Sequence, residues 1–220
     1  MLLTDYLFNE AEEIWDEYLK HPFITEMGKG ILDKNKFRRY LIQDYLYLKE
    51  YAKLYAMGLV KSDNIEDMKF FQESINGIME DESATHITYL KNFGEKIDQL
   101  EKYKITFEND NYTSYMKGVA LTGDLQDLAI AVLPCAWSYY YIAKNMKEKY
   151  GDKLEGNFYT SWIESYSCDD YAQCAKENID FANKVCANID DKKKEKLKEI
   201  FINGSLYEMK FWDMAYKEVK

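Results

Sequence analysis

Residues 124–150 read DLQDLAIAVLPCAWSYYYIAKNMKEKY. The run is far longer than a strand, which typically has about 5–6 residues. Asp124 and Asp127 stand at its start, where acids accept from free backbone N–H groups and meet the positive end of the helix dipole. The spacing predicts a helix from Asp124 to about Tyr150. One residue resists it. Pro134, about ten positions inside, removes a backbone donor, costs roughly 3 kcal/mol against a better helix former and predicts a kinked axis.

The same reading extends outward from this run. Only Pro22 and Pro134 occur among 220 residues, with 10 glycines. Helix formers fill the rest, which predicts an all-α, single-domain multi-helix bundle over residues 1–220. A first helix is expected from about Thr4 to Leu19, with Thr4 as its cap and Leu7, Ala11, Ile14, Trp15 and Tyr18 as its apolar stripe. His21-Pro22 should end it, leaving Gly28 and Gly30 in a connection. A second helix, opened by Asp33 or Asn35, carries Tyr40, Leu41, Tyr47, Leu48, Tyr51 and Tyr55 and fades near Gly58. A long stretch from Asn64 to Gln99 follows, which Gly77 could bend. Tyr112 to Leu121 forms a shorter helix, with Asn109, Asp110 or Asn111 as cap and Gly123 as its end. Phe158–Tyr166, Asp170–Ile189 and Asp191–Tyr216 bring the expected total to seven or eight helices.

Charge narrows the partners. Lys and Arg number 29 and Asp and Glu number 39, a net charge of −10. Such a surface repels phosphate backbones and anionic lipid, so neither nucleic acid nor membrane is an expected partner. No apolar run reaches the roughly 18 residues of a membrane span, so no transmembrane helix is expected. The first residues carry an acid where a signal sequence would be basic, so none is expected. The four cysteines, Cys135, Cys168, Cys174 and Cys186, do not form a disulfide or metal pattern, which suits a reduced, cytoplasmic protein.

A few residues sit where their chemistry is costly. Asp44 lies one turn from Tyr40 and one turn from Tyr47 and Leu48, on or beside an apolar, tyrosine-rich face. Glu208 falls seven after Phe201 and four before Trp212, on the inner face of the last helix. A buried acid is expensive unless partnered, and apolar surroundings favour its protonated form, which suits a proton donor. Cys135 follows Pro134 inside an apolar run. A buried cysteine is ordinarily an inert core residue, but here the helix tolerates an irregularity beside the thiol. Twenty tyrosines provide core rings or the walls of a pocket that stacks a flat polar ring and bonds its edges. Glu82 and His86 are four apart, a spacing that fits a helix ion pair and no known multi-histidine metal motif. No phosphate-binding glycine motif occurs.

Together these residues resemble the thiaminase II family, the aminopyrimidine aminohydrolases, in its cysteine-containing subclass. The resemblance spans nearly the whole chain. It runs through His21-Pro22-Phe23, Gln43-Asp44-Tyr45-Leu46-Tyr47, Glu82-Ser83-Ala84-Thr85-His86 and Tyr112-Thr113-Ser114-Tyr115. Its strongest block is Leu133-Pro134-Cys135-Ala136-Trp137-Ser138-Tyr139-Tyr140. Trp162-Ile163 with Tyr166, and Tyr207-Glu208 with Phe211-Trp212-Asp213-Met214-Ala215-Tyr216, complete it. The resemblance implies a fold like haem oxygenase, a homotetramer and no cofactor or metal. It implies hydrolysis of 4-amino-5-aminomethyl-2-methylpyrimidine to the hydroxymethyl pyrimidine with loss of ammonia, a thiamin-salvage reaction, and cleavage of thiamin at its methylene bridge. It implies Cys135 as nucleophile and Glu208 as proton-transfer group. Asp44 would anchor the 4-amino group and the adjacent ring nitrogen. Tyr47 would stack on the ring with Tyr139 beside it, and Tyr112 and Tyr166 would orient the thiol or the leaving group. Glu82 and His86 match family positions without an assigned step. Ser167-Cys168-Asp169 departs from the small glycines that some members carry after this tyrosine, which leaves the shape of the leaving-group side open.

Two other readings stay open on residues alone. One is a haem- or metal-dependent oxygenase with the same bundle shape. The other is a helical protein that binds the pyrimidine without turnover.

Overall fold

The computed structural model describes residues 2–217; the side chains of residues 81–83, Glu82 among them, lie outside the described residues. Within it the chain forms ten α-helices. They are α1 (Leu3–Lys20), α2 (Pro22–Gly28), α3 (Lys34–Lys61), α4 (Ile65–Asn76), α5 (Ser83–Asn92), α6 (Phe107–Thr122), α7 (Leu125–Tyr150), α8 (Thr160–Ser167), α9 (Asp169–Val185) and α10 (Asp191–Tyr216).

Helix α7 is the axis of the assembly, packing against α1, α3, α6, α8, α9 and α10. Its start is the reciprocal cap that the sequence suggests: Asp127 N–H donates to Asp124 Oδ1 and Asp124 N–H to Asp127 Oδ2, each at 3.0 Å. Lys193 and Lys196, on α10, reach the Asp127 carboxylate at 3.0 and 2.9 Å, fastening the two helix starts together. Pro134 sits inside α7, which runs on without a break. Its ring is met by Gly204 of α10, where an added Cβ would come within 2.8 Å of Pro134 Cγ. Glycine mid-helix is unfavourable by about 1 kcal/mol relative to alanine, so its presence in α10 reflects this close approach. Gly58 serves α3 in the same way, since a Cβ there would collide with the Phe71 ring of α4. That packing explains why α3 runs past Gly58 to Lys61 rather than fading there.

Several expected boundaries differ. Thr4 is not the cap of α1. It lies buried inside the helix, exchanging hydrogen bonds with Asn183 of α9 (3.1 and 2.8 Å). His21-Pro22 does end α1, but no loop follows. His21 Nδ1 accepts from Phe23 N–H at 3.1 Å and Pro22 opens α2 directly, a position where its missing N–H costs nothing. The stretch after Asn64 divides into α4, a π-helical turn at Gly77–Glu82, α5 and a 3-10 segment at Ile97–Lys102. Helix α6 starts earlier than expected and is capped by Thr106; Asn109 instead donates to the Gln43 carbonyl at 2.8 Å, tying α6 to α3. These short pieces raise the helix number above the seven or eight expected.

One continuous apolar core links α1 to α10, with Trp15, Trp162 and Trp212 fully buried in it. All four cysteines are free thiols. Among the described residues no helix is long and apolar enough to cross a membrane.

Candidate active site

Six helices converge on one polar island within this core. Helix α3 contributes Tyr40, Asp44, Tyr47 and Tyr51, whose i, i+4, i+7, i+11 spacing keeps them on one face. His86 comes from α5, Tyr112 from α6, Cys135 and Tyr139 from α7, Tyr166 from α8 and Glu208 from α10. Asp44 and Glu208 are each only 2% exposed, Cys135 4% and His86 not at all. Two carboxyl groups, a thiol and an imidazole at such depth are a costly set, and costly buried titratable groups concentrate where chemistry is done.

Tyr139 locates the middle of the island. Its ionisation is pushed well above the usual tyrosine value, first by burial and then by Tyr40, Asp44, Glu208 and Cys135. Asp44, Glu208 and Cys135 therefore all lie within electrostatic reach of one phenol. Tyr47 and Tyr112 are displaced in the same direction, first by burial, and both feel Cys135 and Glu208. On this side Tyr112 donates its hydroxyl to Glu208 Oε1 at 2.8 Å. Its ring stacks between Tyr47 (centroids 5.3 Å apart) and Tyr207 (5.4 Å). Tyr47 also stacks on Tyr51 and meets the edge of Phe211, three residues after Glu208. Flat aromatic faces thus wall the acid and the thiol.

The opposite side is built on Asp44. His86 Nδ1 lies 3.1 Å from Asp44 Oδ2, off the line of a hydrogen bond. The other imidazole nitrogen, Nε2, lies 3.1 Å from the Tyr166 hydroxyl. Burial pulls the His86 pKa down to about 3, so the ring is neutral at ordinary pH. Tyr166 packs on Tyr139 with ring centroids 4.9 Å apart, which joins the two sides. Behind them Trp162 Nε1–H donates to the Tyr40 hydroxyl at 3.2 Å, and Tyr40 donates on to Tyr139 at 3.4 Å.

Asp44, Tyr47, His86, Tyr112, Cys135, Tyr139, Tyr166 and Glu208 thus lie in or against one buried cluster, whereas Cys168 is exposed. The geometry gives His86 two partners that spacing on its own helix did not suggest, Asp44 and Tyr166; its pairing with Glu82 lies outside the described residues. Tyr40 and Phe211 are additions. Tyr40 stands one turn before Asp44 on the same face, and that periodicity is the signal by which it could be found. Among the described residues no three His, Cys, Asp or Glu side chains gather as metal ligands. Chemically, the cluster offers a thiol, an acid hydrogen-bonded by a phenol, a second carboxylate backed by imidazole, and flat rings between them.

Residues 8–218 match the pattern of the TENA/THI-4/PQQC family. The chain belongs to that family. Among its relatives, the aminopyrimidine aminohydrolase of Helicobacter pylori is 39% identical over 217 residues, covering 99% of this chain and 100% of that one. Among solved structures, a TenA homologue from P. horikoshii OT3 superposes with a TM-score of 0.87 at 27% identity, covering 98% of this chain and 99% of that one. A Shewanella denitrificans domain described as having a heme oxygenase-like fold superposes with a TM-score of 0.75 at 15% identity, covering 98% of this chain and 92% of that one. The TENA-family chain described here therefore has the haem-oxygenase-like fold.

Proposed function

We propose that the cluster around Tyr139 hydrolyses 4-amino-5-aminomethyl-2-methylpyrimidine to the hydroxymethyl pyrimidine and ammonia, by way of a covalent Cys135 adduct. The chain is an enzyme, an aminopyrimidine aminohydrolase, the class for which its Helicobacter pylori relative is named. The single observation that carries the mechanism is that two acids and a thiol, Asp44, Glu208 and Cys135, lie buried within one aromatic-walled cluster, with Glu208 hydrogen-bonded by Tyr112 at 2.8 Å.

The chemistry needs this set. An amine on a methylene attached to an aromatic ring is a poor leaving group. Addition of the Cys135 sulfur to a ring carbon, with a proton passing from Glu208 to the adjacent ring nitrogen, forms the C–S bond and breaks aromaticity. The 4-amino lone pair can then push through the ring and break the C–N bond of the aminomethyl group, which is in its ammonium form at neutral pH and so leaves as ammonia, producing an exocyclic methylene. Asp44, accepting from the 4-amino group, stabilises the positive charge that develops there. Water adds to the methylene and loses a proton to the departed amine. The C–S bond breaks, aromaticity returns, and the ring nitrogen gives its proton back to Glu208. Tyr112, bonded to Glu208, holds that acid in place. Tyr47 and Tyr139 supply flat surfaces for the ring, and Tyr166 faces the leaving group.

Cleavage of thiamin at the methylene bridge follows the same course with the thiazole as leaving group. A homotetrameric assembly of single-domain subunits, and a cytoplasmic location in thiamin salvage, complete this reading on the family likeness.

The test is ammonia release from the aminomethyl pyrimidine by metal-stripped protein, beside Cys135→Ser and Glu208→Gln. Turnover by the unaltered protein and loss in both variants is the expected result. Turnover that survives Cys135→Ser overturns the covalent route. Tight binding without release by the unaltered protein overturns the hydrolase assignment.

A further inference from the structure

We propose that His86 is a positioning residue that fixes the direction of hydrogen bonding at Tyr166, giving its one ring proton toward Asp44 and taking the Tyr166 proton, so that the Tyr166 oxygen faces the site as an acceptor. This inference rests on the hydrolase reading above and assigns a part to a residue that reading leaves idle.

The argument is one of counting protons. In the hydrolase reading Asp44 accepts from the substrate and so is a carboxylate, which can only accept; the imidazole nitrogen 3.1 Å from it, Nδ1, though off the line of a hydrogen bond, is then the one that carries hydrogen. Burial keeps the ring neutral, with a pKa near 3, and a neutral imidazole has a single N–H. The far nitrogen, Nε2, is then bare and must accept. The group 3.1 Å from it is the Tyr166 hydroxyl, which therefore donates. A phenol has one proton, and with that proton held by Nε2 its oxygen can act toward any other group only as an acceptor. His86 has no exposed surface, so water does not compete for either nitrogen.

The direction matters for the chemistry. Departing ammonia and attacking water both bring N–H or O–H groups to the methylene. An acceptor at Tyr166 can hold and aim them; a donor would face them proton to proton. The same line couples the two ends of the substrate. Were Asp44 to take a proton, it would donate to Nδ1, the imidazole would change tautomer, and the Tyr166 hydroxyl would turn toward the site as a donor. The Asp44–His86–Tyr166 line thus suits a substrate that leaves Asp44 anionic.

The primary test needs no turnover. Nitrogen NMR of the imidazole side chains in ligand-free protein at neutral pH is simple to assign, because only His21 and His86 exist and a His86→Asn sample identifies the second. The expected signal is a protonated Nδ1 and a bare Nε2. A protonated Nε2, or an imidazolium, overturns the proposal. The second test is kinetic. The amide of His86→Asn can still donate to Asp44 but cannot reach Tyr166, whereas His86→Gln places an acceptor near Tyr166. His86→Asn should lower kcat roughly ten- to a hundred-fold, the size of one buried hydrogen bond, with little change in KM. Tyr166→Phe should match it, the double variant should lose no more, and His86→Gln should recover part of the rate. Additive losses, or equal losses in both His86 variants that follow thermal stability, would leave His86 a core residue. If the unaltered protein releases no ammonia, the hydrolase reading fails while the NMR result still decides the direction of the hydrogen bond.

Discussion

Tyr112 donates its hydroxyl to Glu208 across the gap between α6 and α10. The two residues are 96 positions apart, and both are buried. The bond holds the carboxyl in one rotamer while the rings of Tyr47 and Tyr207 hold Tyr112. Tyr112→Phe keeps the stack and removes the donor. The expected outcome is a fall in kcat of roughly ten- to a hundred-fold, with KM little changed. Leaving a buried carboxyl without this donor should also cost about 1–3 kcal/mol of stability. Steady-state kinetics and urea unfolding of the same preparation check both.

Two mid-helix glycines should respond to alanine with opposite signs. Gly118 of α6 has nothing within 4 Å of an added Cβ, so Gly118→Ala should gain about 1 kcal/mol from helix propensity alone. Gly204 of α10 faces the Pro134 ring at 2.8 Å. There the same gain is set against an overpacking penalty of about 1–3 kcal/mol, because neither the ring nor the helix can retreat freely. Gly204→Ala should lower the thermal midpoint and Gly118→Ala raise it, by a few degrees each. A rise in both would show that α10 can slide away from α7.

These examples also mark what could be read in advance. The reciprocal cap of α7 is local, and the sequence displays it openly; at the start of α3 the sequence leaves Asp33 and Asn35 as alternatives, and Asp33 is the cap. Asp44 and Glu208 are conspicuous as acids on apolar faces. Thr4 misleads, because a threonine near a helix start reads as a cap while its hydroxyl is taken by Asn183, 179 positions away. The division of Asn64–Gln99 was not legible beyond Gly77, since a π-helical turn has no compositional mark. The part played by His86 was hidden for a similar reason. Its bond to Tyr166 spans 80 positions, and no helical spacing points to a partner so far along the chain.

Acid should weaken the fold through His86. Its pKa in the folded protein, about 3, lies below the free value of about 6.5. The unfolded chain therefore binds this proton first as pH falls. Above about pH 6.5 the group contributes no pH dependence. Below it stability declines by up to about 1.4 kcal/mol per pH unit, and the decline levels off only near the folded value. By pH 5 the loss attributable to His86 should be about 2 kcal/mol. Denaturation midpoints of the unaltered protein and His86→Gln, compared from about pH 8 to about pH 5, should converge toward acid. Parallel curves would show that the imidazole titrates alike in both states.

The Asp127 carboxylate joins a helix cap to an inter-helix clamp, so its loss should exceed that of either alone. Burial works to raise its pKa, but Lys196 and Lys193 prevail and hold it below the ordinary carboxylate range. Asp127→Ala removes the bond to Asp124 N–H and both lysine contacts. An expected loss of about 2 kcal/mol, seen in urea, should come with unchanged kcat, since α7's start lies away from Cys135. A change confined to kcat would contradict that separation.

The depth of the island has a kinetic meaning. With Cys135, Asp44 and Glu208 all nearly inaccessible, a small molecule should reach the sulfur only as helices part, and the opening motion should then be the clock for arrival. Observed association rates should then level off as ligand concentration rises, at a ceiling set by the protein's own breathing. An alkylating reagent should find Cys135 at that same limiting rate, long after the exposed Cys168 and Cys174 have reacted. In the intervals between openings, the thiol is sheltered from chemistry other than its own.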